Sequence, residues 1–164
     1  MTKEVYFVID GEAVGKGRPR FSRRGNYVKA YTPPKTANYE EKVKDAYFTE
    51  YGNVKPLWGE NEPLEMVINV YFEIPKSASK KKRFKLLTEE RPTKKPDVDN
   101  IAKAIMDALS KDFLYHDDSQ IVSATINKYW SETPKAEVII RGIQNEESIC
   151  QQRQETDSWR HRRN

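Results

Sequence analysis

The chain opens on a two-residue rhythm. Val5, Phe7 and Ile9 alternate with Tyr6, Val8 and Asp10, which predicts a half-buried strand to about residue 13. From Gly15 to Lys35 the rhythm is lost. Gly15, Gly17, Pro19, Gly25, Pro33 and Pro34 exclude a long helix there, so this segment is expected to be a loop, interleaved with Phe21, Tyr27 and Tyr31. Helical spacing returns with Tyr39, Val43, Ala46 and Tyr47. It predicts a helix from about Ala37 to Tyr51, capped by Thr36, with Glu40 in its first turns. Asn53 to Glu62 forms a loop around Pro56 and Gly59. Leu64, Met66, Ile68, Val70 and Phe72 alternate again, giving a second strand that ends at Pro75.

Beyond Pro75, Ser77 or Ser79 can cap a short helix with Phe84, Leu86 and Leu87 turned inward. Thr88 to Lys95 is expected as a loop. A longer helix then opens at Asp97 and runs to about Ser110. Val98, Ile101, Ala102, Ile105 and Leu109 fall at i, i+3, i+4, i+7 and i+11, a core-facing stripe. Ile121 to Trp130 and Ala136 to Ile143 suggest a hairpin joined near Ser131 to Lys135. After Gln144 the apolar content drops to Ile149 and Trp159, so residues 144–164 are expected to be a flexible tail behind one domain at 1–143. There is no internal repeat. Strands and helices are segregated rather than strictly alternating, which predicts an α+β fold: a small mixed or antiparallel sheet with helices packed on one side.

The length, 164 residues, suits one ordinary domain. With 37% hydrophobic and 33% charged residues, a modest core sits under a heavily charged surface. The net charge of +4 and pI near 9.0 lean toward polyanionic partners. No apolar run approaches the roughly 18 residues needed to span a membrane, and the first apolar run is too short for a signal peptide. Cys150 has no intrachain partner for a disulfide and too few companions for a zinc site, which fits a reducing cytosol.

The charge is concentrated in places. Gly15 to Lys35 holds Lys16, Arg18, Arg20, Arg23, Arg24, Lys29 and Lys35 and no acid. A second basic stretch runs from Lys76 through Lys80, Lys81, Lys82, Arg83 and Lys85 to Lys94 and Lys95. Such cations neutralise phosphates independently of sequence, although Lys80 to Lys85 taken alone also fits a solvated helix face. Gly-Lys-Gly-Arg-Pro-Arg at 15–20 lacks the Gly-Lys-Ser/Thr of a Walker A loop, which excludes that mode of nucleotide hydrolysis.

The acidic residues complement this. Asp97 and Asp99 flank the start of a helix, Lys103 lies one turn beyond Asp99, and Asp117 and Asp118 stand in a turn before a strand. If that strand packs beside the helix start, four carboxylates converge. Phosphodiester hydrolysis is assisted by divalent ions, and carboxylate oxygens suit Mg²⁺. A nearby lysine stabilises charge on the reacting phosphate. Each residue also has a local explanation: Asp97 as N-cap, Asp99 with Lys103 as an i, i+4 pair, and Asp117 and Asp118 as turn formers. Asp107 has no special position. His116 is more simply a turn residue than a ligand or base, and His161 lies in the tail.

Five stretches together resemble the RusA-type Holliday junction resolvases of bacteria and their prophages: Gly15 to Arg20, Tyr31-Thr32-Pro33, Lys95-Pro96-Asp97-Val98-Asp99-Asn100, Ile101 to Leu109, and His116 to Val122. The resemblance covers about residues 4 to 143. It implies a homodimeric, Mg²⁺-dependent endonuclease, with Mn²⁺ able to substitute, that nicks four-way DNA junctions symmetrically in recombination and repair. It would act in the bacterial cytoplasm, associated with the nucleoid. Asp97, Asp99 and Asp118 would be catalytic metal ligands with Asp117 beside them, and Lys103 the catalytic lysine. Lys16, Arg18, Arg20, Arg23, Arg24, Lys80, Lys81, Lys82, Lys94 and Lys95 would contact DNA. Exposed apolar residues between Ile121 and Tyr129 are candidates for the dimer interface. Two alternatives stay open: a less specific metal-dependent nuclease on other branched DNA, and a non-catalytic DNA-binding module.

Overall fold

The computed structural model describes residues 3–52 and 54–143. It is α+β, with a four-stranded mixed sheet, a separate two-stranded ribbon and three helices. The tail at 144–164, with Cys150 and His161, lies outside the described residues.

Strand β1 (Glu4–Asp10) buries Val5, Phe7 and Ile9, as its alternation predicts. It stops short of residue 13 because Gly11 turns away at φ +89°. The basic segment is not a plain loop. Arg20–Arg24 (β2) and Tyr27–Tyr31 (β3) pair antiparallel, with Arg24 opposite Tyr27. Gly25 at φ +63° begins the two-residue turn, the position that type II′ hairpins give to glycine.

Helix α1 (Pro34–Tyr51) starts before Ala37, with Pro33 at the N-cap and Pro34 in the first turn. Proline suits that turn because its missing N–H has no helical acceptor there. Thr36 is therefore not the cap. It is buried, and its hydroxyl accepts from the Gly17 N–H at 3.0 Å. Tyr39, Val43 and Tyr47 form the buried stripe.

Strand β4 (Leu64–Glu73) alternates along its whole length, burying Leu64, Met66, Ile68, Val70 and Phe72. Helix α2 (Lys80–Thr88) is capped by Ser79, whose hydroxyl accepts from the Lys82 N–H at 3.2 Å. Only Leu86 of its apolar residues turns inward. Phe84 is 66% and Leu87 48% exposed, against expectation. At 3.6 residues per turn, Leu86 lies about 200° around the helix from Phe84 and about 100° from Leu87, so one face cannot bury all three.

Helix α3 (Val98–Leu109) buries Ile101, Ala102, Ala104, Ile105, Ala108 and Leu109. Each large aliphatic residue among these contributes about 1.5–3 kcal/mol by burial. Val98, in the first turn, stays exposed. Strands β5 (Ile121–Ser131) and β6 (Lys135–Gly142) follow.

The sheet order is β1-β6-β4-β5. The expected β5–β6 hairpin does not form, because β4 lies between them. β5 runs parallel to β4, and β6 runs antiparallel to both β4 and β1. Parallel neighbours need a long crossover, and the stretch carrying α2 and α3 supplies it. β6 then returns on the far side of β4, where Ala136, Val138 and Ile140 extend the core. α1 packs on β1 and α3, and α3 packs on β5. The start of α3 is thereby held over one edge of the sheet.

Candidate active site

The link after β1 crosses the first turn of α3. The Lys16 N–H donates to the Asn100 carbonyl at 2.8 Å. A Cβ on Gly15 would stand 2.9 Å from Pro96 Cβ and 3.1 Å from Asn100 Cβ, and one on Gly17 would stand 3.0 Å from the Thr36 hydroxyl. These glycines let the backbone meet the protein's own α3 and α1. The two motifs, about eighty residues apart in sequence, enclose a cleft of about 770 Å³. Arg18, Arg20, Lys35 and Lys95 line it, with Asp97 on the same wall. Lys95 and Pro96, joined by a cis peptide, are held from the sheet side by Lys128, whose ammonium donates to the Lys94 and Pro96 carbonyls at 2.5 and 3.0 Å.

Asp97 occupies the N-cap position in extended conformation, yet its side chain makes no capping hydrogen bond. Asp97 and Asp99 are both exposed, and neither has an ion-pair partner among the described residues. Lys103 does not turn to Asp99. Its ammonium lies 3.6 Å from Asp107.

Asp107 proves to be the centre of the local charge network. Lys16 contacts it at 2.8 Å and Glu40 at 2.5 Å. Burial alone would lower the Lys16 ammonium, but the hydrogen bonds and charges of Asp107 and Glu40 outweigh it and hold its pKa above the usual lysine value. Lys16 is thus committed to two carboxylates of its own chain. Sequence spacing gives no hint of this, since the partners come from α1 and from the far end of α3.

The Asp117-Asp118 turn is built around Gln120. Its amide nitrogen donates to the Gly59 and Glu62 carbonyls at 2.8 and 3.1 Å, and its oxygen accepts from the His116 and Asp117 N–H groups at 2.9 and 3.3 Å. Asp117 caps the turn, accepting from the Ser119 N–H at 2.8 Å. The Ser119 side chain and backbone together hold the Asp117 carboxyl below its ordinary value. Asp118 has no such duty and is exposed. Tyr115 lies beneath, its hydroxyl donating to the Met106 carbonyl at 2.8 Å. Burial pushes that hydroxyl's pKa up, and the charges of Asp118, Asp107 and Asp117 add to it. Asp107 and the aspartate turn are thus both close enough to act on the Tyr115 hydroxyl. His116 pairs with Asp112 at 2.6 Å.

The expected acidic residues are thus spread along one side of α3 and the turn beyond it. No group of three His, Cys, Asp or Glu side chains among the described residues is gathered to hold a metal ion. The donor chemistry still suits one: Asp97, Asp99 and Asp118 offer hard carboxylate oxygens free of ion pairs among the described residues.

The cations are unequally available. Arg18, Arg20, Arg24, Lys80, Lys81 and Lys95 are exposed. Arg23 donates to the Gly25 carbonyl at 3.1 Å, and Lys82 pairs with Glu90 at 3.0 Å. Lys94 sits over the Phe72 ring at 5.1 Å and 3.8 Å from Glu12. Lys128, which no sequence motif marks, and Gln120, which the His116 to Val122 stretch contains without a role, position the two acidic motifs.

The family model "Endodeoxyribonuclease RusA" matches residues 10–141. The chain is 37% identical over 147 residues to a Bacillus subtilis (strain 168) protein named "Uncharacterized protein YqaN", covering 85% of this chain and 96% of that protein.

Proposed function

The chain belongs to the RusA endodeoxyribonuclease family, and from that premise we propose that it is a metal-dependent resolvase of four-way DNA junctions. The observation that carries this reading is the basic cleft whose wall includes Asp97. Its cationic side chains are of the kind that bind phosphate, and the Asp97 carboxylate beside them makes no capping hydrogen bond.

In this reading Arg18, Arg20 and Lys95 bind the DNA backbone along the cleft, while Arg23, Arg24, Lys80, Lys81, Lys82 and Lys94 extend the positive surface. Lys16 is left out of that set because its ammonium is already held. Asp97, Asp99 and Asp118 would hold Mg²⁺, for which Mn²⁺ can substitute, with Asp117 fixing the turn that presents Asp118. The ion would supply positive charge against the negative charge that develops on the scissile phosphate. Lys103, exposed between Asp99 and Asp107, adds an ammonium to the same side of the helix.

A homodimer gives the substrate its logic, since a two-fold axis presents two like sites to two strands of like polarity. Strand β5, which ends the sheet among the described residues and carries exposed Val122, is a candidate contact between protomers. No helix of the described residues is long and apolar enough to cross a membrane, in keeping with action on DNA in a bacterial cytoplasm.

The test is to map nick positions at nucleotide resolution on a synthetic four-way junction with each strand labelled in turn. Nicks at symmetric positions on two opposing strands support the resolvase. Nicks scattered over flaps and linear arms support a less specific nuclease instead.

A further inference from the structure

The β2–β3 ribbon has no assigned role beyond its arginines. All ten of its strand residues are exposed, and its two strands pair chiefly with each other. Strands of five residues reach about 17 Å at roughly 3.3 Å per residue. An isolated two-stranded hairpin is marginal in water, so this one is suited to gain a partner. Its base joins the active-site cleft directly, because Arg20 lines that cleft.

The register sorts its side chains. Arg20, Ser22 and Arg24 share one face with Tyr31, Lys29 and Tyr27. Phe21 and Arg23 share the other with Ala30 and Val28. The first face is cationic and aromatic, the second largely apolar. The two most exposed aromatics, Tyr27 at 83% and Phe21 at 71%, thus point to opposite sides of one thin blade.

Charge selects the occupant. The ribbon carries Arg20, Arg23, Arg24 and Lys29 with no acid. A second copy of this chain would bring the same four cations and a net charge of +4. A nucleic acid brings phosphates for the cations and flat base faces for the rings. Stacking on an aromatic side chain tolerates any base, but it requires a base face that is not covered by a neighbouring pair. Such faces are open at a branch point and closed in linear duplex.

We infer that the β2–β3 hairpin reads the branch: Phe21 and Tyr27 stack on base faces opened at the crossover, while Arg20, Arg24 and Lys29 hold the flanking phosphates. This rests on the resolvase reading and adds the element that distinguishes branched from linear DNA.

The test measures binding in EDTA, so it does not depend on cleavage. Full-length wild type, Phe21→Ala/Tyr27→Ala, Tyr27→Phe and Arg24→Ala/Lys29→Ala are titrated with a four-way junction and a linear duplex of matched length. The inference expects the double aromatic variant to lose at least about fivefold in junction affinity with duplex affinity unchanged. Tyr27→Phe, which keeps a ring, should retain the wild-type ratio. The double cationic variant should weaken on both DNAs, with a shallower salt dependence. Equal loss on both DNAs from the aromatic variant, no loss at all, or a wild type that binds both DNAs alike would overturn the inference. So would conversion of a dimer to monomer by the aromatic variant, which would make the hairpin a protein contact. Cleavage with Mg²⁺ is scored separately: a wild type that prefers junctions but never nicks them defeats the resolvase reading and leaves the hairpin's role intact.

Discussion

Lys16→Met is the sharpest perturbation of the charge network under the cleft. It removes the cation shared by Glu40 at 2.5 Å and Asp107 at 2.8 Å, in a site where all three side chains are only about one-fifth exposed. Two carboxylates left about 5 Å apart repel by about 3 kcal/mol at an effective dielectric of about 20. Lys103, 3.6 Å from Asp107, offsets part of this, and Glu40 can turn toward water. The expected cost is about 2–3 kcal/mol, or roughly 5–10 °C in Tm at roughly 2–4 °C per kcal/mol. Adding Glu40→Gln and Asp107→Asn should recover most of it, because no bare charge remains. The sign with pH follows from the raised Lys16 pKa. The ion pairs stabilise fully below the ordinary lysine value of 10.5 and lose their effect as pH climbs past the folded value. The gap between wild type and variant should therefore be constant at neutral pH and shrink above about pH 10.5. Thermal and urea denaturation measure this, alongside the salt dependence of DNA binding. Unchanged stability, with a salt slope reduced by about one, would refute the reasoning and make Lys16 a phosphate contact.

Two other outcomes are expected. Gly15→Ala places a methyl group against Pro96 and Asn100; it should cost about 1–3 kcal/mol and reduce cleavage more than DNA affinity, as read by denaturation and single-turnover kinetics. Asp118→Asn should abolish nicking at unchanged Tm, whereas Asp117→Ala should lower Tm and retain measurable nicking, because Asp117 caps the turn with an oxygen that alanine lacks and Asp118 does not.

The sequence made β4 and α3 legible because their alternation and 3.6-residue stripe end in full burial on one face. Local patterning records which face is buried, not which strand lies beside it. That is why β5 and β6, adjacent in sequence, were expected to pair although β4 separates them. The β2–β3 hairpin was missed for a related reason: both of its faces are exposed, so no buried alternation marks it, and the Gly25-Asn26 turn was the available signal. Within the site, Asp97, Asp99 and the Asp117-Asp118 pair stood out as motifs. Asp107 did not, because its meaning comes from Lys16, ninety-one residues away, and from Glu40 on another helix. Gln120 falls within the His116 to Val122 stretch, but sequence assigns it no role of its own; that role comes from its four hydrogen bonds to chain segments distant from one another.

The central claim is that free carboxylates beside a basic cleft cut branched DNA with a divalent ion. Its most direct measurement is cleavage of a four-way junction and its matched linear duplex by the full chain, with Mg²⁺ and with EDTA, beside Asp99→Asn. The account predicts paired nicks in the junction alone, lost in EDTA and lost in the variant while the variant still binds. Junction binding without cleavage under every condition, or cleavage that survives EDTA or Asp99→Asn, would contradict it.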